Sequence, residues 1–389
     1  MGSCAWIILS NKKIILILIE WFSPGYKAGG PIQSCVNICV ALRQAYEIFV
    51  LTTDTDHGEV LPYHNLSANK WIKNDETGAL VYYAKKTELS ATQIKKIINQ
   101  VQPDFIYLNL LFSPHFVLYP LWLQLTGKLS AKVIVSPRGC LYDSALSLKY
   151  YKKKPLLLLY KWLGVHKTIR FHATNVREEK AILQYFPGST VITANNLPNI
   201  QQHPFITCNK QQGELDCIFI ARLVPIKNLL FLLKALSMVK ATVVLTIAGP
   251  AEDEVYWETC KQVITQLPSN IKFNYIGPQA NDQLYSLLLQ NHLFVLPTTG
   301  ENFGHAIIES LLAGRPVLIS DQTPWLNLTE QHAGWHLPLD NMASFAAVIE
   351  EVAGYKQEAF DSIAGNAWQY AHNFSQDPHL TKPYLQLFS

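Results

Sequence analysis

The chain has 389 residues, 49% of them hydrophobic and 16% charged, a composition that suits folded domains throughout and excludes long disorder. That length exceeds one ordinary core and fits two domains of similar size, with a cleft between them as the expected ligand site. A net charge of +3 gives no global attraction for nucleic acid. The seven scattered cysteines lack a close C-x-x-C pair, which argues against a disulfide framework or zinc cluster and for a reducing cytoplasm.

From the N-terminus, the apolar start is split by Lys12 and Lys13 and lacks a small-residue cleavage site, so 14–19 reads as a buried strand. No run approaches the roughly 18–20 apolar residues that span a bilayer. The segment W-F-S-P-G-Y-K-A-G-G-P follows. It places Gly29 and Gly30 before Pro31, a good first helical residue, and opens a helix through Val36 and Leu42. By itself such a loop reads equally as a plain turn.

Further strands are expected at 47–51, 104–108 and 132–135. After the last, S-P-R-G puts Arg138 at a strand end, where it reads either as a contact for an anionic acceptor such as a lipid diphosphate or as a structural salt bridge. Lys149, Lys152, Lys153, Lys154, Lys161, Lys167 and Arg170 then interleave with tyrosines, leucines and Trp162, opposed only by Asp143. The segment 142–170 reads either as a membrane-surface element or as a core helix with a solvated basic face. His172, in F-H-A-T, is expected to be a hydrogen-bonded strand-end histidine.

The polar, aperiodic stretch 195–214 marks an interdomain linker. We therefore expect domains at 1–200 and 201–370, with 371–389 packing back onto the first. The alternation restarts with strands at 217–220, 242–247, 271–276, 293–296 and 316–319, giving a second doubly wound α/β lobe.

F-I-A-R-L-V-P-I-K places Arg222 and Lys227 where the first strand of this lobe gives way to a helix, which is marked by Leu229, Leu232, Leu233 and Leu236. A lysine at a helix N-terminus opposes the macrodipole, a misfit that a bound anion resolves. In T-T-G-E-N-F-G-H-A-I-I-E, Asn302 is expected to cap a helix running from Phe303 to about Leu312. Glu301 then lies in the loop and Glu309 in the helix, about 10 Å apart, too far to share a proton or a metal. Two separated acceptors suit a ligand with hydroxyls at both ends, such as a nucleotide sugar. Gly304, placed in the first turn, lets a diphosphate approach free backbone N–H groups. Singly, these four charges read as solvated side chains or dipole complements; together they occupy the usual ligand edge of such sheets.

R-x4-K followed by E-x7-E resembles the family-four glycosyltransferases of the GT-B fold. The likeness extends over essentially the whole chain through A-G-G-P, S-P-R-G, F-H-A-T-N-V-R-E-E, N-L-P-N and S-D-Q-T-P-W, the last as in bacterial polysaccharide-synthesis members. The resemblance implies two Rossmann-like domains facing a cleft and retaining, metal-independent transfer from a nucleotide-diphosphate sugar to a saccharide or lipid-linked acceptor. Arg222 and Lys227 would hold the diphosphate, Glu309 the ribose, and Glu301 the transferred sugar. Amides around Phe303 and Gly304 would assist, with Gly29 and Gly30 near the phosphates. His305 is assigned no catalytic role. Family members carry a histidine in the region of Arg138, so this chain departs from the pattern there. The expected setting is cytoplasmic, at the inner face of the plasma membrane, in cell-surface polysaccharide synthesis such as that of lipopolysaccharide.

Three rival readings remain at this level. Asp54-Thr55-Asp56 matches the metal-binding D-x-D of single-domain GT-A enzymes, although a polar turn accounts for it equally. A nucleotide-sugar epimerase of the same architecture would need no acceptor. A non-catalytic binding or scaffolding homologue is the last rival, disfavoured because Arg222, Lys227, Glu301 and Glu309 are all present.

Overall fold

The computed structural model describes residues 12–142, 145–146, 150–199 and 204–389. The expected cation Lys149, its opposing Asp143, Cys4 and part of the expected linker lie outside them. The chain divides into two compact units, Met1–Leu197 with Pro378–Ser389, and Pro198–Asp377.

In the first unit, eight strands form one sheet: β1 (Ile14–Leu18), β2 (Glu47–Thr53), β3 (Trp71–Lys73), β4 (Leu80–Ala84), β5 (Phe105–Asn109), β6 (Lys132–Ser136), β7 (Arg170–Ala173) and β8 (Thr190–Thr193). Their spatial order is β3-β4-β2-β1-β5-β6-β7-β8, parallel except for β3 against β4. A parallel sheet is covered on both faces, so its strands read as unbroken apolar runs. The side chains alternate accordingly: Leu16, Leu18, Ile106 and Leu108 enter one core, while Ile15, Ile17, Phe105 and Tyr107 enter the other.

Helices α1 (Gly30–Leu42), α2 (Ala91–Val101), α3 (Tyr119–Leu125), α4 (Tyr150–Trp162), α5 (Val165–Thr168) and α6 (Val176–Tyr185) fill the connections. Gly29 sits ahead of α1 at φ +67°, a left-handed value that glycine adopts freely. Among the described residues no helix is long and apolar enough to cross a membrane.

The second sheet runs β11-β10-β9-β12-β13-β14 and is entirely parallel. Its strands are β9 (Glu214–Ile220), β10 (Thr242–Ala248), β11 (Ile271–Gly277), β12 (Leu293–Leu296), β13 (Val317–Ser320) and β14 (Gly334–Leu337). Helices α7 (Leu229–Leu236), α8 (Glu254–Ile264), α9 (Asn281–Leu289), α10 (His305–Leu312), α11 (Met342–Ala353) and α12 (Gln357–Ser375) complete the unit. Leu229, Leu232, Leu233 and Leu236 are fully buried, each stabilising by about 1.5–3 kcal/mol through the apolar surface it removes from water. The chain order reverses between β9 and β12, the kind of switch point at which open α/β sheets bind their ligands.

The return to the first unit comes at Pro378 and not at Ala371, because α12 runs unbroken to Ser375 and buries Ala367 and Ala371 in the second core. Helix α13 (Lys382–Leu387) then places Tyr384, Leu387 and Phe388 in the first unit's core.

Candidate functional site

Arg222 and Lys227 lie on the connection leaving β9, and Glu301 on the connection leaving β12, the two loops on either side of the chain reversal. Backbone and side-chain bonds tie the loops together. Thr299 N–H donates to Ile226 O at 2.8 Å, and the Thr298 hydroxyl donates to the same oxygen at 2.9 Å. The ammonium of Lys227 reaches Glu301 Oε2 at 2.5 Å, with only 16% and 15% of the two side chains exposed. Glu301 Oε1 accepts from the Asn302 N–H at 3.2 Å, and the Glu301 N–H donates to Gln322 O at 3.0 Å.

Lys227 closes a short 3-10 turn, Pro225–Lys227, and Asn228 in a left-handed conformation separates it from α7. Lys227 thus lies near the helix N-terminus as expected, directly before the cap, and its charge is neutralised there by Glu301. Arg222 pairs with Glu252 at 2.8 Å on the loop after β10. That pair is half-exposed, and such surface bridges are worth roughly 0–1 kcal/mol, so the guanidinium is readily drawn to a stronger anion.

The start of α10 also differs from expectation. Asn302 does not cap it. Gly304 does, at φ +82°, so Phe303 and Gly304 lie in the loop and His305 is the first helical residue. A helix cannot continue through a left-handed residue, which is why the start moves. A Cβ at Gly304 would lie 2.6 Å from Ile307 Cδ1 and 3.2 Å from Glu301 Cγ, so both conformation and space require glycine here. The His305 ring meets the Phe303 ring edge-on at 4.9 Å.

Glu309, at the fifth position of α10, keeps partial exposure, yet its carboxylate has no hydrogen bond or ion pair among the described residues. Burial pushes its pKa up to about 8. An acid left so costly and unpartnered points to a ligand. Elsewhere in this unit, buried cations are closed off structurally. Lys210 donates to Gln211 O, Glu214 O and Ala353 O, and Arg315 donates to Leu288 O and Leu289 O at the end of α9.

Two supporting residues carry little sequence signal. Trp325 buries its indole and donates to Phe303 O at 2.5 Å, pinning the loop that carries Glu301 and Gly304. Gly249, at φ +143°, lets β10 end against Ala221, whose carbonyl oxygen would lie 1.9 Å from any Cβ. Only the strand-end placement of I-A-G-P hints at this second glycine.

In the first unit, Arg138 has φ +51° and donates to Asn109 Oδ1 at 3.0 Å, Asn196 Oδ1 at 2.7 Å and the Tyr107 hydroxyl at 3.2 Å. It meets no carboxylate in an ion pair among the described residues, so the salt-bridge reading of Arg138 gives way to a neutral network. His172 bonds the Tyr107 hydroxyl through Nδ1 at 2.6 Å and Ala194 O through Nε2 at 2.8 Å, and burial lowers its pKa to about 3. Gly29 and Gly30 form the turn entering α1, held because Asp56 accepts from the Tyr26 and Lys27 N–H groups. Asp54 accepts from the Lys86 N–H at 3.0 Å. Both acids of the D-x-D are buried and bonded to backbone amides, as in a polar turn.

Residues 206–359 match the family model described as glycosyl transferases group 1. No curated protein matches the chain by sequence at a significant level. Among solved structures, a sucrose-phosphate synthase from Thermosynechococcus elongatus superposes with a TM-score of 0.71 at 14% identity, over 97% of this chain and 98% of that one. Anabaena HepE in complex with UDP and glucose gives 0.71 at 16% identity, over 96% and 98%. WaaG, a glycosyltransferase involved in lipopolysaccharide biosynthesis, gives 0.64 at 11% identity, over 96% and 98%. Identities this low speak to the fold, and the family match falls wholly inside the unit that carries Arg222, Lys227, Glu301 and Glu309. The chain therefore has the GT-B fold, and its residues 206–359 resemble the glycosyl transferases of group 1.

Proposed function

We propose that the chain transfers a sugar, with retention and without a metal ion, from a nucleotide-diphosphate sugar to a saccharide or lipid-linked saccharide acceptor in cell-surface polysaccharide synthesis. The observation that carries this reading is the unpartnered Glu309 carboxylate on the helix that follows the Lys227–Glu301 pair. Glu309 suits two ribose hydroxyls, which donate to a carboxylate. Arg222 and Lys227 suit the diphosphate, with the amides around Phe303 and Gly304 as further donors, and Glu301 suits hydroxyls of the sugar. We assign Gly29 and Gly30 to the donor on the sequence resemblance alone, and Arg138 to an anionic acceptor on its place at the end of β6.

In the reaction the sugar C1–O bond to the diphosphate breaks, and the acceptor oxygen bonds to C1 on the same face. The acceptor proton passes to the departing phosphate. Negative charge concentrates on the leaving group, where preorganised cations are most effective. Arg222 and Lys227 supply the positive charge that a metal would otherwise provide.

The donor and acceptor classes are supported by the ligands of proteins sharing the fold. HepE was solved with UDP-glucose, and a Staphylococcus aureus TarM mutant with α-GlcNAc-glycerol and UDP. Thiols unpaired at Cys35, Cys39, Cys140, Cys208, Cys217 and Cys260 suit the cytoplasm. The test incubates purified protein with a panel of nucleotide sugars and candidate acceptors, with and without chelator, and reads the product anomer by NMR. We expect a retained anomer and chelator-insensitive turnover. An inverted product, loss of turnover with chelator, or conversion of the nucleotide sugar without acceptor overturns the reading, the last in favour of an epimerase.

A further inference from the structure

Helix α4 buries one face and leaves the opposite one apolar. Leu157 and Tyr160 enter the core of the first unit, and the Tyr160 hydroxyl donates to Leu111 O at 3.1 Å. On the other side, Tyr151, Pro155, Leu158, Leu159 and Trp162 recur at the spacing of a single helical stripe. They are exposed, Tyr151 by 71%, Leu158 by 58%, Leu159 by 45% and Trp162 by 81%. At about 100° per residue, Lys152 falls along one border of this stripe and Lys154 and Lys161 along the other, all three exposed. Lys153, by contrast, turns inward to Ala145 O and the Phe112 ring. No Asp or Glu occurs from Ser144 to Arg177.

We propose that this stripe docks the first unit onto an anionic lipid bilayer, with α4 lying in the interface plane. Tryptophan, tyrosine and leucine enter the headgroup region, while the bordering lysines meet acidic headgroups. An exposed stripe of this size needs a cover, and its charge border selects which one. A second copy of the chain would bring three lysines against three lysines with no acid in the segment to pair them, whereas an acidic bilayer neutralises all of them. The inference is independent of the donor reading, since it involves only the first unit.

Full-length protein is sedimented with phosphatidylcholine vesicles with and without phosphatidylglycerol, at low and high salt. The parent should bind the acidic vesicles alone, less at high salt. K152E/K154E/K161E and Trp162→Ala should each lower partitioning about tenfold or more while melting temperature and nucleotide binding stay at parental values. Failure of the parent to bind, equal binding of the charge-reversed variant, or equal binding to neutral vesicles overturns the proposal. So does a concentration-dependent dimer that Trp162→Ala dissociates without any vesicle binding. Vesicle binding without nucleotide binding would leave this inference standing and remove the transferase reading.

Discussion

Replacing Glu309 with glutamine should make the free protein more stable and bind nucleotide less well. The carboxyl has no partner among the described residues, and burial moves it from an ordinary 4.5 to about 8. Below pH 4.5 the group is neutral in folded and unfolded chains and contributes nothing. Between 4.5 and 8 the folded state holds a proton that the unfolded state has lost, so stability falls as pH rises; above 8 the full cost of the buried charge is present. Each pH step in that window costs about 1.4 kcal/mol, a ceiling of about 5 kcal/mol, and the partial exposure of Glu309 lowers it to about 2–4 kcal/mol.

Glu309→Gln keeps the shape and cannot ionise. Its advantage over the parent should therefore be under about 1 kcal/mol at pH 5 and about 2–4 kcal/mol at pH 9. For a unit of this size, that is a rise of about 2–4 °C in melting temperature per kcal/mol, read from the second unit's transition in scanning calorimetry. Ribose hydroxyls donate to the ionised carboxylate, so nucleoside diphosphate should bind the parent more tightly as pH rises from 6 to 8. The variant should lose that dependence and bind about 10–100-fold more weakly, the loss of a hydrogen bond to a charged group. A variant less stable than the parent at every pH, or an advantage that does not grow with pH, would refute the unpartnered acid.

Lys227→Ala should lower kcat/KM for the nucleotide sugar about 10²–10³-fold with the fold intact by circular dichroism; near-parental turnover would remove Lys227 from the chemistry. Trp325→Phe keeps the ring packing but leaves Phe303 O without its 2.5 Å donor, so it should destabilise by about 1–3 kcal/mol and raise the donor KM more than it lowers kcat. An unchanged KM would free the loop from Trp325. His172, held neutral with its pKa down at about 3, is protonated only in the unfolded chain between pH 6.5 and 3. The first unit should therefore lose about 1.4 kcal/mol per pH unit as pH falls through that window, and His172→Gln should flatten the profile.

The parallel strands that carry the site were legible because both of their faces are buried, which writes 217–220 and 293–296 as unbroken apolar runs. Strand β3 was not, since Trp71–Lys73 is three residues long with no run to read. The caps misled for a different reason. Asn302 is a strong capping residue by propensity, but Gly304 can adopt φ +82°, and Trp325 from a distant loop holds Phe303 O outside the helix. Tertiary bonds of that kind leave no local pattern. The pairing of Lys227 with Glu301 was equally invisible, since 74 residues separate them and only the β9-to-β12 neighbourhood brings them together.

That pairing changes what the site offers a ligand. A diphosphate approaching Lys227 meets an ion pair and must compete with Glu301 at 2.5 Å. A nucleoside diphosphate that wins the ammonium leaves Glu301 mostly buried with only the Asn302 N–H, an unpaired charge of the costly kind. A complete nucleotide sugar can satisfy both halves, its phosphate taking Lys227 while its sugar hydroxyls donate to Glu301. The pair should thus favour the complete donor over the leaving product, and its re-formation should help expel the product. Glu301→Gln removes the competing charge. In calorimetric titrations it should tighten nucleoside diphosphate binding while weakening nucleotide-sugar binding, narrowing their ratio by about tenfold, the effect of about 1.4 kcal/mol. If the variant weakened both ligands equally, Glu301 would be acting only as a prop for the loop.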